Sequence, residues 1–336
     1  GGPARKVSGG EVRRRDFLLR SGCAVCALAA GLPAWPQSEW SAPARFVRPD
    51  IASDEGGLWA MMDREEIRLR RSPFAVRDPG LAGYVRDIAC RLAGSHCPDV
   101  RVHIVSTPLF NASMAPNGMM QVWSGLLLRV ENEAQLAAIL GHEIGHYLQR
   151  HTLERLRDVR SRTAFGQFLA LFGLVGAIGQ LAVLASMMAY SREQEAEADR
   201  IGLTLMREAG YDGREAARIW ENLMLEIKAR KENNAPERSP LFASHPAPED
   251  RQQTLAKLAE AGAGGETGEE AWQKVMNPFR HEWIMDEVKR RQYDESLALL
   301  ERLVKRRTNQ AEYLFARGEV YRMRAANTDA DSALAD

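Results

Sequence analysis

The segment "LGHEIGHYLQRH", residues 140–151, sets His142, Glu143 and His146 in a stretch that otherwise reads as helix. Residues four apart on a helix share one face, so both imidazoles point the same way with a carboxylate beside them. That geometry suits a metal ion. A catalytic zinc takes three protein ligands and keeps a further position open, so a third ligand must come from elsewhere in the chain. "SREQEAEADRIGL" offers one, with Glu195 and Asp199 four apart on a helix expected to begin near Ser191. Glu195 stands a full turn before Asp199, whereas Glu193 and Glu197 project roughly 160–200° away from it and are expected to be solvated. Two neutral imidazoles and one carboxylate would leave Zn2+ with net positive charge, able to polarise a water and a peptide carbonyl. Glu143 is placed to take the water proton and return it to the leaving amine.

These residues need elements to hold them. Helical spacing runs through residues 54–95, and "VRVHIVS" then alternates as a strand. A turn at Pro116, Asn117 and Gly118 precedes a β-rich run from Met119 to Trp123. Asn132 is a candidate N-cap for the next helix, on which Leu136, Leu140, Ile144 and Leu148 form one stripe. The motif is therefore expected on an amphipathic helix behind a short sheet.

A third segment, "SPLFASHPAPEDR", puts His245 among small residues and prolines, hence on a loop, with Arg251 as a candidate brace for that loop. The three motifs "HEIGH", "SREQEAEAD" and "SHPAPEDR", in this order, resemble the zinc metallopeptidases of peptidase family M48 over roughly residues 54–255. The resemblance implies His142, His146 and Glu195 as zinc ligands, Glu143 as the catalytic residue, and Asp199 as the group that orients a ligating histidine. For His245 three roles stay open: a structural ring, a fourth ligand that plugs the site at rest, or a donor to the oxyanion of the tetrahedral intermediate.

Lys+Arg and Asp+Glu are equal at 45 each, so no basic field argues for nucleic acid. At the N-terminus, Arg14 and Arg15 precede Phe17, Leu18 and Leu19 and a short apolar run. Residues 1–37 read as a twin-arginine export signal, which places the protein in the periplasm; a basic arm without structure is the alternative. Cys23 and Cys26 fall inside that apolar run, with no second pair to make a metal site. Cys90 and Cys97 are either a disulfide, as export would favour, or two free thiols. From Thr163 to Ser191 no residue carries a charge. A single membrane crossing there would separate His146 from Glu195, so the stretch is expected as a hairpin that either covers the cleft or touches a membrane surface.

Beyond a linker at 259–271, residues 272–336 align with themselves at the period of about 34 residues typical of tetratricopeptide repeats. Ile284 then pairs with Gly318 and Glu287 with Tyr321, and the chain would end inside the second helix of a second copy. A plain helical hairpin is the alternative. The expected fold is α+β and mainly helical: a gluzincin-like metallopeptidase domain over residues 50–258 with a small sheet, then a tetratricopeptide-type helical region. The expected activity is zinc-dependent endopeptidase action on misfolded or misassembled envelope proteins, with one Zn2+ per chain. Outer-membrane assembly machinery is a candidate partner of the repeat region. The competing expectation is a chaperone in which that region does the work and proteolysis is secondary.

Overall fold

Local sequence signals account for the first elements. Helix α1 (Asp54–Arg71) starts where the Ser53 hydroxyl accepts the Gly56 N–H at 3.0 Å, and α2 (Pro79–Ala93) starts at the Asp78 cap with proline in its first turn. A 3-10 turn, Gly94–Asp99, follows, and its Cys97 forms a disulfide with Cys90, the Cα atoms 4.6 Å apart. This computed structural model describes residues 1–2, 40–158, 190–231, 244–245, 248–260, 264–306 and 309–335. Arg14, Arg15, Cys23, Cys26 and the apolar run from Thr163 to Ala189 lie outside the described residues.

The sheet holds β1 (Ala75–Val76), β2 (Arg101–Val105), β3 (Ala112–Met114) and β4 (Met119–Trp123), in the order β1-β2-β4-β3. β2 and β4 run parallel, with Val102 opposite Met120 and Ile104 opposite Val122, while β1 and β3 pair antiparallel at the two edges. Every residue of β4 is buried, as expected of a strand covered on both faces. The turn between β3 and β4 closes through Gly118, whose φ of 88° is one that a side chain rarely tolerates.

Next come α3 (Ser124–Arg129), α4 (Glu133–Leu148), α5 (His151–Asp158), α6 (Arg192–Glu208), α7 (Arg214–Lys231) and α8 (Pro248–Glu260). Asn132 caps α4, its side chain accepting the Gln135 N–H at 2.8 Å. The expectation of an amphipathic motif helix is corrected: all sixteen residues of α4 are buried, so it is the central helix of the domain. α6 begins at a reciprocal capping box between Ser191 and Gln194. Among the described residues, no helix is long and apolar enough to cross a membrane.

The C-terminal region consists of α9 (Glu269–Lys289), α10 (Tyr293–Lys305) and α11 (Gln310–Ala335). It departs from expectation in one way. α11 is one continuous helix where a second repeat needs a turn and a new helix, and it buries Tyr313, Ala316 and Val320 while leaving Leu314 and Tyr321 exposed. Within the stretch expected as a linker, Glu266 exchanges backbone hydrogen bonds with Gly210 and Asp212, and the Ala134 N–H reaches Thr267. α9 and α10 share a core with Leu128 from α3. The same region holds an ionic cluster, in which buried Arg129 contacts buried Glu226 at 2.7 Å and Glu287 at 3.0 Å, and half-buried Arg302 contacts Glu131 at 2.6 Å. The described residues from Pro43 onward belong to one compact unit.

A second ionic group joins α1 to the sheet. Glu66 accepts from Arg101 at 2.7 Å and lies 2.8 Å from the His103 imidazole. Burial opposes its charge, yet His103 and Arg101 hold its carboxyl down at about 2, against an ordinary 4.5. A depressed carboxylate stabilises the fold above its ordinary value and stops doing so as pH falls through its folded value. Glu66→Gln should therefore lose about 1–2 kcal/mol at neutral pH, given that Arg101 is partly solvated. Urea titrations should show that deficit shrinking between pH 4.5 and 2; a deficit independent of pH would refute the assignment.

Candidate metal centre

Small residues set the site by letting two helices touch. A Cβ added at Gly202 would lie 2.8 Å from the His142 backbone nitrogen, one at Gly141 3.0 Å from the Gly202 carbonyl oxygen, and one at Gly145 3.0 Å from that of Ala198. α4 and α6 therefore meet backbone to backbone. Only at that separation can the short side chains of Glu195 and Asp199 reach the histidines of the facing helix.

Four buried groups converge there: His142, His146, Glu195 and His245. His142 Nε2 lies 3.0 Å from His146 Nε2 and 3.2 Å from His245 Nδ1. Glu195 Oε1 lies 3.3 Å from His146 Nε2 and 2.8 Å from His245 Nδ1. Ligands at about 2.0–2.1 Å from a tetrahedral zinc stand about 3.3 Å apart, so these donors already have the spacing of a coordination shell. Their chemistry agrees, because lone pairs aimed at one another in a dry interior are unfavourable until a cation lies between them. The residues present fit the metal.

The surroundings fix the charge states. Asp199 Oδ1 lies 2.9 Å from His142 Nδ1, which puts the ring proton there and turns the Nε2 lone pair inward. Arg251, on α8, bonds Asp199 at 2.6 Å, lies 3.0 Å from Glu195 and covers the Trp220 ring at 4.1 Å. Burial works against the Glu195 charge, but His245 and Arg251 hold its carboxyl well below the usual range. Burial lowers His142 to about 4, aided by Arg251. Glu143 is different: burial raises its carboxyl to about 7. Its Oε1 is buried with no hydrogen-bond partner among the described residues and lies 3.5 Å from His245 Nε2. Tyr190 stacks on the His146 ring at 3.9 Å, and its backbone N–H donates to the Ser244 carbonyl, which holds His245 at the cluster.

Residues 76–259, more than half of the chain, match the model of Peptidase family M48. The chain belongs to peptidase family M48. M48 metallopeptidases use zinc, and the group His142, His146, Glu195 and His245 could hold such an ion. The chain is 33% identical over 140 residues to the mitochondrial metalloendopeptidase OMA1 of Arabidopsis thaliana, covering 41% of this chain and 29% of that protein. It is 29% identical over 225 residues to the beta-barrel assembly-enhancing protease of Escherichia coli K12, covering 60% and 45%. With the human mitochondrial metalloendopeptidase OMA1 it shares 31% over 169 residues, covering 47% and 32%. The chain thus spans less than half the length of each of these curated relatives.

Within this M48 site the structure brings together every residue singled out from sequence: His142, Glu143, His146, Glu195, Asp199, His245 and Arg251. Glu193 is exposed as expected. Glu197 is not simply solvated, since it accepts from Gln149 at 2.5 Å and lies 3.3 Å from His151. The helix-contact glycines were missed, although their G-x-x-x-G spacing at 141 and 145 was there to be read. A methyl at Gly202 has backbone in its way and must push the helices apart. Gly202→Ala should cost about 1–3 kcal/mol in chemical denaturation and weaken zinc retention against a chelator. Unchanged values in both would show that the helices tolerate separation.

Proposed function

We propose that this chain is a zinc-dependent endopeptidase that cuts misfolded or misassembled envelope proteins, with Glu143 as general base. The observation that carries this reading is the buried convergence of His142, His146, Glu195 and His245 beside a carboxyl whose proton affinity lies near neutrality. His142, His146 and Glu195 are read as the ligands. Bound zinc supplies Lewis-acid polarisation of a water and of the scissile carbonyl. Glu143 takes the water proton and returns it to the leaving amine, a role that needs a pKa near the working pH.

Substrate class follows from the sheet. β3 is an edge strand that packs against α4, and its Met114 lines a small cavity together with His146. An extended peptide added to that edge would cross the site, which suits unfolded clients. The envelope setting, with export to the periplasm, draws on the relative named a beta-barrel assembly-enhancing protease and on the twin-arginine pattern. α9 and α10, which share a core with α11, are read as a tetratricopeptide-type client- or partner-binding region. Relatives named as proteases favour cleavage over client holding alone.

His245 is read as a ring that occupies the remaining metal position at rest, because its Nδ1 stands at ligand spacing from both His142 and Glu195. Three measurements test the proposal. Glu143→Gln should lose about 10²–10⁴ of casein cleavage with zinc content unchanged; near-normal cleavage would mean that another base serves. His142→Ala, His146→Ala and Glu195→Gln should each lower zinc occupancy by elemental analysis, while Glu193→Gln leaves it full. His245→Ala should raise basal peptidase activity, whereas a fall would make the ring an oxyanion donor.

A further inference from the structure

The ring of His146 is held at its far side by residues with no part in the reading above. Its Nδ1 lies 2.9 Å from His151 Nδ1, and His151 Nε2 lies 3.3 Å from Glu197 Oε2. His151 is buried. It reaches this place because α4 stops at Leu148: Arg150, with φ of 59°, turns the chain back before α5. The Gln149 side chain donates to the other Glu197 oxygen at 2.5 Å, and the Thr152 and Tyr190 hydroxyls meet at 2.9 Å.

Two imidazole nitrogens at this distance can bond only if one carries a proton and the other a lone pair. With its Nε2 lone pair turned to the ligand cluster, His146 carries its proton on Nδ1 and donates it to His151. His151 then carries its own proton on Nε2, aimed at Glu197. One carboxylate thereby decides the tautomer of both rings. The arrangement parallels His142, which donates directly to Asp199.

We propose that Glu197 and His151 are a positioning pair that fixes the tautomer and ring orientation of His146 toward the metal. Their partner atoms form the chain Glu197 Oε2, His151 Nε2, His151 Nδ1, His146 Nδ1. The inference rests on His146 being a ligand, as proposed above. Partners of this kind are typically worth 10–100-fold in metal affinity.

The test is zinc affinity of the purified full chain, measured by competition with a chromogenic chelator, beside the visible spectrum of the cobalt-substituted protein and the unfolding midpoint of the metal-free form. His151→Leu should bind zinc about 10–100-fold more weakly and shift the cobalt bands. His151→Asn, whose Oδ1 can accept at the place of Nδ1, should recover most of that affinity and the parent spectrum. Glu197→Ala should weaken binding by a smaller factor, since water can reach that carboxylate, with Glu193→Ala as the unaffected control. Equal metal-free midpoints for the leucine and asparagine variants would assign the difference to the metal site rather than to packing. Parent-like zinc affinity in His151→Leu and Glu197→Ala, or equal losses in His151→Leu and His151→Asn, would overturn the proposal. If His146→Ala itself leaves zinc affinity unchanged, the ligand assignment fails instead.

Discussion

Everything at the centre depends on how closely α4 and α6 approach. Gly141 and Gly145 on one helix meet Ala198 and Gly202 on the other with backbone atoms in contact. Carboxylate side chains are short, and a helix pair at ordinary side-chain separation would leave Glu195 and Asp199 short of the histidines. The glycines give up helix propensity of about 1 kcal/mol each relative to alanine, which the buried contact must offset. The metal-binding geometry is thus a property of two helix surfaces as much as of the residues that carry the donor atoms.

That contact places several charges in a dry interior, and each is answered. Glu195 and Asp199 are met by Arg251, whose guanidinium also lies over Trp220. Isolated buried ions are unstable, whereas a set joined by multidentate contacts persists because removing any member strands the others. Arg251 therefore favours the ionised form of both acids, and ionised Asp199 holds the His142 ring through its Nδ1. Glu143, away from the densest part of this set, is the acid that burial can raise.

Local signals in the sequence were sufficient for much of this. The Asn132 and Ser191 caps and the i, i+4 spacing of both acidic and histidine pairs act over one or two turns and appear where local rules put them, and β2 forms where its alternation put it although its burial does not alternate. His151 was not legible, because five residues along an unbroken helix would turn it about 140° from His146. Only the left-handed residue Arg150 brings it back. The polar face expected on α4 was misjudged for a related reason: burial of Gln135, His142, Glu143 and His146 depends on partners far away in the chain. Nor does Gly-rich composition foretell the backbone bonds that Glu266 makes with Gly210 and Asp212.

The ionic cluster around Arg129 bears on how the chain can be divided. Arg129 leans on Glu226 from the peptidase side and on Glu287 from the C-terminal helices, and all three are buried. A cut at the compositional boundary would take away Glu287 and Glu295 and leave the guanidinium only Glu226 of its three carboxylate partners among the described residues, in a surface built to be covered. The residues so exposed, Leu128 to Glu133, lead directly into the Asn132 cap of the helix that carries both histidines. Separating the two regions would thus loosen the mounting of the metal site itself. The C-terminal helices thus share in mounting the helix that carries both histidines.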